Sequence, residues 1–245
     1  MASPRRLPAS VIDLQRHDEG LFTAVMRPGG TVPPFRAGQF LHLALDPYDP
    51  SAPWPESRVF SIANAPARRD IVRITFSVKG AYTARMAREL SVARTVWLKL
   101  PYGSFSLLPE CGREMVLIAG GTGITPYISL LESVVASGQP VGAAPIRLFY
   151  GVRTPRQIIY GDILRECIQK LNDFGFHLFI EDPDDCQDWA HTSGRLDIQR
   201  IWNSVPDPSL AAYYLSGPLP MIRAFRTALT DHGIPPGNVR VDDWE

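Results

Sequence analysis

Seven residues, Gly120-Gly121-Thr122-Gly123-Ile124-Thr125-Pro126, constrain this chain more than any other stretch. They follow a continuous apolar run, Met115–Ala119, and lead into a predicted helix, Thr125–Ser137. No charge occurs from Met115 to Leu131, but the glycines and Pro126 interrupt the stretch. It therefore reads as buried strand, glycine turn and helix, not as a membrane span. Glycines accept positive φ and let a ligand approach the backbone closely. The helix start behind them offers free N–H groups and a partial positive charge to a phosphate. Pro126 suits the first helical turn, where its missing N–H costs nothing. The spacing is neither GxGxxG nor a P-loop, which needs a lysine. A bare strand-to-helix turn is the competing reading. The position, at the carboxyl end of a first parallel strand, is where such sheets bind ligands and argues for a phosphate-bearing one.

What surrounds the turn separates the chain into two halves. After it, apolar strands at Ile146–Tyr150, Phe176–Ile180 and Ala212–Leu215 alternate with helices near Ile159–Leu171 and Pro218–His232, and Val239–Val241 forms a short last strand. That rhythm predicts a parallel sheet with helices on both faces. Before it lie six short β-rich segments, Val11–Leu14, Phe22–Met26, Gln39–Leu45, Val59–Ala63, Ile71–Val78 and Val96–Leu100, separated by Gly and Pro clusters. They predict a small six-stranded antiparallel barrel with one helix, Thr83–Leu90. The expected domains are 1–110 and 111–245.

Composition narrows the function. Twenty-five basic residues balance 25 acidic ones, which argues against a nucleic-acid protein. The three cysteines, Cys111, Cys167 and Cys186, form no CxxC pair, too few ligands for a zinc site or an iron–sulfur cluster. The five histidines show no ligand spacing, so no metal is expected. Residues 1–14 contain no apolar segment of the secretory kind, and the expected compartment is the cytoplasm.

Two motifs in the first half suit a ligand with a phosphate and a flat ring. In Arg58-Val59-Phe60-Ser61, alternation sets Arg58 and Phe60 on one face and Val59 and Ser61 on the other. Gly80-Ala81-Tyr82-Thr83 opens the barrel's helix, with Thr83 as a candidate N-cap and the helix start as a second anion cradle. Taken singly, each equally describes an ordinary strand or a capped turn.

Taken in order, the three motifs resemble the ferredoxin–NADP reductase superfamily. Its Arg-x-Tyr/Phe-Ser flavin motif matches Arg58–Ser61. Its Gly-x-x-Ser/Thr turn matches Gly80–Thr83, and its nicotinamide-side glycine turn matches Gly120–Pro126. Pro101–Phe105 looks like the family's loop before the domain boundary. Ser216-Gly217-Pro218 stands where the family usually has Cys-Gly-Pro, and Val239–Trp244 resembles its last strand and terminal aromatic. The resemblance implies a flavin-binding barrel followed by an NAD(P)-binding domain. It implies FAD rather than FMN, and NAD(P)H as co-substrate.

It also implies roles. Arg58, Gly80, Tyr82 and Thr83 belong to the flavin-diphosphate site, with Val59 and Phe60 packing at the flavin and Ser61 near its N5. Gly120, Gly121, Thr122 and Gly123 line the nicotinamide dinucleotide, with Thr125 toward its reacting end. Ser216 lies beside the nicotinamide, with Gly217 and Pro218, and Trp244 covers the flavin. Arg153 and Arg156 follow the second parallel strand, where such domains read the adenosine ribose. They read either as contacts to a 2′-phosphate, which would favour NADPH, or as surface arginines. The acidic run Glu181–Asp185 reads as a solvated loop. The implied activity passes hydride from NAD(P)H to FAD, then electrons to a separate acceptor such as a ferredoxin, a flavodoxin or an oxygenase component. A two-electron reductase of a quinone or free flavin, and a non-enzymatic flavin-binding subunit, remain alternatives.

Overall fold

The computed structural model describes residues 3–108, 112–138, 145–184 and 186–242. The chain forms two units: residues 1–107 with 125–130, and residues 108–124 with 131–245. The expected division at 110/111 lies outside the described residues.

The first unit is a six-stranded antiparallel sheet curled into a nearly closed barrel. Its strands are β1 (Arg5–Asp18), β2 (Leu21–Pro28), β3 (Phe40–Ala44), β4 (Ser57–Ser61), β5 (Val72–Ser77) and β6 (Thr95–Tyr102), in the order β4-β3-β6-β1-β2-β5. Alternate residues fill the core, among them Val11, Met26, Leu41, Leu43, Ile74, Val96 and Leu98. β1 begins at Arg5, six residues before the expected Val11. Its first part pairs with β6 and its second part with β2. The outward-facing arginines of that first part hid the alternation.

Helix α1 (Ala81–Glu89) starts two residues before its expected position, behind an extended Gly80. Thr83 is consequently not the N-cap. It sits in the third helical position, and its hydroxyl accepts from the N–H groups of Lys79 at 2.9 Å and Gly80 at 3.1 Å. The side chain still satisfies backbone donors at the helix start, but from inside the helix.

The second unit is a six-stranded parallel sheet: β7 (Met115–Gly120), β8 (Ile146–Val152), β9 (Phe174–Ile180), β10 (Thr192–Ser193), β11 (Ala212–Ser216) and β12 (Val239–Val241). The order is β10-β9-β8-β7-β11-β12. Helices α2 (Thr125–Ser137, whose residues 125–130 group with the first unit), α3 (Gly161–Lys170), α4 (Ile198–Ser204) and α5 (Leu219–Asp231) follow strands. All of β7 is buried, as its continuous apolar run requires. The sequence reading missed α4, although Asp197 caps it by accepting from the Arg200 N–H at 2.9 Å. The chain moves outward from β7 through β8 and β9, then returns to the other side of β7 with β11. The strand order therefore reverses at β7, and the crevice at the carboxyl ends of β7 and β11 is the topological switch point.

Candidate functional site

At that switch point two turns meet, one after β7 and one after β11. Gly121–Ile124 form a single 3-10 turn between β7 and α2. The glycines of this segment do different jobs. A Cβ on Gly123 would lie 2.2 Å from the Ser216 carbonyl oxygen, and one on Gly120 would lie 2.7 Å from the Met221 sulfur and 2.9 Å from Pro218. These two glycines let the turns pack against each other. Gly121 differs: its φ is +54° and nothing lies within 4 Å of an added Cβ. It is the glycine that leaves backbone open to a ligand. Gly217, at φ +148°, packs against the Gly120 backbone. Pro218 caps α5, Thr125 begins α2 and is buried, and Thr122 is half-buried.

Ser216 ends β11 and is 3% exposed. Its hydroxyl donates to Oδ2 of Asp242 at 3.1 Å. Asp242, just past β12, is 7% exposed, and its N–H bonds the Leu215 carbonyl at 2.9 Å. Sequence reading did not single out Asp242. Its only local signal is a carboxylate directly after an apolar strand, and its partner stands 26 residues away.

In the barrel unit, Arg58 and Tyr82 come together. Register pairs Leu43 with Arg58 and Leu41 with Phe60, so both β4 side chains share the face of core leucines. The Arg58 guanidinium carbon lies over the Tyr82 ring, 4.6 Å from its centroid. Arg58 also pairs with Glu56 at 2.9 Å and donates to the Ser57 carbonyl. Its side chain is 48% exposed. Phe60 belongs to the barrel core, with its ring 6.2 Å from that of Phe76. Val59 is half-buried. Ser61 is buried on the opposite face, paired in register with Phe40. Tyr82 is not a surface residue: it is 4% exposed. Its hydroxyl lies 2.9 Å from the Leu43 carbonyl, 3.1 Å from the Glu56 carbonyl and 3.1 Å from the Leu45 N–H.

Arg153 and Arg156 both lie exposed after β8. The acidic run runs beside them, since the Asp182 N–H donates to the Arg153 carbonyl at 2.8 Å. Glu181 in that run pairs with Arg195 at 2.9 Å. Trp244 lies outside the described residues. Among the described residues no group of three or more His, Cys, Asp or Glu could hold a metal, and no helix is long and apolar enough to cross a membrane. Burial pushes the Cys167 thiol up to about 12, which makes it a packing residue and not a nucleophile.

Residues 117–227 match the family described as the oxidoreductase NAD-binding domain. The whole chain shares its fold with solved reductase structures. Superposition on a cytochrome P450 reductase from Amycolatopsis gives a TM-score of 0.81 at 21% identity, covering 98% of this chain and 69% of that one. The flavohem-like FAD/NAD-binding domain of a nitric oxide dioxygenase from Vibrio cholerae gives 0.79 at 17% identity, covering 96% and 97%. In sequence, the chain is 28% identical over 239 residues to the reductase component of phenol 2-monooxygenase from Pseudomonas sp. strain CF600, covering 92% of this chain and 61% of that protein. It is also 28% identical over 203 residues to the electron transfer component of anthranilate 1,2-dioxygenase from Acinetobacter baylyi, covering 82% and 55%. The chain thus spans roughly three-fifths of the length of the curated relatives it matches.

Proposed function

We propose that this chain is a flavoprotein reductase that takes hydride from NAD(P)H onto FAD and passes electrons to a separate redox protein, such as an oxygenase component. The observation that carries the reading is the division of labour between units. The barrel offers a cation and a helix start at Arg58 and Gly80–Thr83, and the parallel sheet offers an open positive-φ glycine at its switch point. The residues fit the groups assigned to them. Nothing lies within 4 Å of a Cβ built on Gly80, so the start of α1 is open beside a half-exposed guanidinium. That donor set suits a diphosphate, because charge-assisted bonds from arginine are short and strong. Gly121 gives the dinucleotide the same access on the other unit.

Bound flavin would supply a two-electron acceptor that can release electrons one at a time. The chain's own residues then have positioning tasks. Arg58 neutralises and orients the flavin diphosphate, with the N–H groups at the start of α1. Ser61 would hydrogen-bond the flavin ring system. Gly121, Thr122 and Thr125 receive the dinucleotide. Ser216, fixed from behind by Asp242, sits beside the nicotinamide. Holding two reactants in register lowers the barrier without acid–base chemistry at the protein. Arg153 and Arg156 are read as contacts to the adenosine ribose, with NADPH the co-substrate they favour. The expected compartment is the cytoplasm, where reduced nicotinamides are available to such a reductase.

The test is direct. The purified full chain should carry a yellow chromophore that extracts as FAD. Anaerobic mixing with NADH and NADPH in turn should bleach it, and re-oxidation by an added one-electron acceptor should restore it. A colourless chain that binds no added flavin, or flavin that neither nicotinamide bleaches, would overturn the reading.

A further inference from the structure

Tyr82, which the motif resemblance groups with the flavin contacts, is buried and bonded on several sides. Its ring lies beneath Arg58, and its hydroxyl ties together three backbone groups of the β3–β4 connection. Two of them, the Leu43 carbonyl and the Leu45 N–H, lie where β3 ends. The third, the Glu56 carbonyl, lies immediately before β4. The phenol therefore staples shut the base of a long connection that contains four prolines between Asp46 and Glu56. Burial raises its pKa, so the hydroxyl keeps its proton.

Two consequences follow for Arg58. It is the second residue of β4, where a strand frays unless its entry is fixed. Its guanidinium is otherwise held by an exposed pair with Glu56, and such surface pairs contribute little. Among its described partners, which also include the Ser57 carbonyl, the ring is the buried side chain. A guanidinium stacked on an aromatic face loses rotamer freedom before any ligand arrives, which lowers the ordering cost of binding.

We propose that Tyr82 is the positioning residue of the flavin-diphosphate site, holding Arg58 from below and closing the loop that delivers it, without touching the flavin. This deepens the flavin reading given above and rests on it.

The experiment is a double-mutant cycle on the flavin-stripped full chain, titrated with FAD and, in parallel, with riboflavin, which has no phosphate. Flavin fluorescence reports each dissociation constant. Tyr82→Phe, which keeps the ring and loses the staple, should weaken FAD binding by roughly threefold to tenfold. Tyr82→Leu, which loses both, should weaken it by roughly tenfold to fiftyfold. Riboflavin binding should not change in either. In an Arg58→Ala background neither Tyr82 substitution should cause further loss of FAD affinity, because the residue being positioned is gone. If Tyr82→Leu fails to fold, Tyr82→Phe carries the same cycle. Equal losses for FAD and riboflavin, or losses that persist in the Arg58→Ala background, would overturn the proposal and assign Tyr82 to packing alone. If Arg58→Ala leaves FAD affinity unchanged, the flavin-diphosphate reading itself fails, an outcome distinct from the other two.

Discussion

Gly123→Ala tests whether the glycine turn serves loop packing as well as ligand access. The added Cβ would lie 2.2 Å from the Ser216 carbonyl oxygen, 2.5 Å from its carbonyl carbon and 2.6 Å from the Gly217 nitrogen. Non-bonded carbons rest about 3.5–4.0 Å apart, so the two segments must part by about 1 Å. Every obstructing atom is backbone, so no side chain can rotate away. Nor can the segments separate freely, because β7 and β11 are adjacent strands with Ala119 opposite Ser216. Overpacking of this kind costs about 1–3 kcal/mol, and the backbone obstruction sets it at the upper end. For a chain of this size each kcal/mol lowers the melting temperature by about 2–4 °C, which predicts a fall of about 6–12 °C. Gly121→Ala provides the contrast. It meets no atom within 4 Å but keeps φ at +54°, so it pays only the left-handed strain of about 1–2 kcal/mol. Calorimetry of both variants gives the stability order, and anaerobic mixing with NADH gives the rate of flavin bleaching. Gly123→Ala should melt lower than Gly121→Ala, retain flavin and bleach slowly. If Gly123→Ala melts with the unaltered chain, the packing role assigned to this glycine is refuted.

Three further outcomes are expected. Ser216→Ala removes the donor to a carboxylate that is 7% exposed; it should cost about 1–3 kcal/mol in thermal unfolding and slow flavin bleaching, and an unchanged melting curve would contradict the bond. His17, His42 and His177 all have pKa values lowered from 6.5, chiefly by burial. The unfolded chain therefore takes up protons near pH 6.5 that the folded chain resists, so stability present above that pH is lost as pH falls. A melting temperature that stays flat from about pH 7.5 to about pH 5 would exclude this linkage. Changing Arg153 and Arg156 together to Ala should raise KM for NADPH relative to NADH by up to about a hundredfold, and an unaltered ratio would make them ordinary surface residues.

What could be read from sequence was what local pattern encodes. Alternation located the barrel strands, and the uncharged run ending in glycines located β7 and its turn. The motif order located both nucleotide sites as candidates. What could not be read depends on distant partners. Nothing near residue 123 says that its missing Cβ makes room for a carbonyl at residue 216. Nothing near Tyr82 says that its hydroxyl meets the ends of β3 and β4. The error at Thr83 has another origin. A threonine at a helix start serves equally as N-cap or, three residues in, as a side chain reaching back, and only the extended Gly80 decides between them. Asp242 escaped because an acid after a strand ordinarily faces water, whereas this one is buried against a serine from β11.

The two carboxylates found beside candidate residues, Glu56 on Arg58 and Asp242 on Ser216, differ in a way that follows from burial. Glu56 is 61% exposed. A diphosphate arriving at Arg58 brings like charge toward that carboxylate, which can swing into water at small cost because an exposed pair is weak to begin with. In the flavin reading proposed above, Glu56 would act as a displaceable counter-ion, giving way when the diphosphate binds. Asp242 has no such exit. It is buried, its backbone is tied to Leu215, and its carboxylate takes the Ser216 hydroxyl. Moving it would take a buried carboxylate away from the Ser216 hydroxyl that satisfies it, which is costly. The barrel unit therefore holds Arg58 with an exposed partner and a buried ring, while the sheet unit holds the Ser216 hydroxyl with a buried carboxylate. That difference suits the two ligands proposed: a resident flavin whose diphosphate must be admitted once, and a co-substrate that must meet the same rigid edge at every turnover.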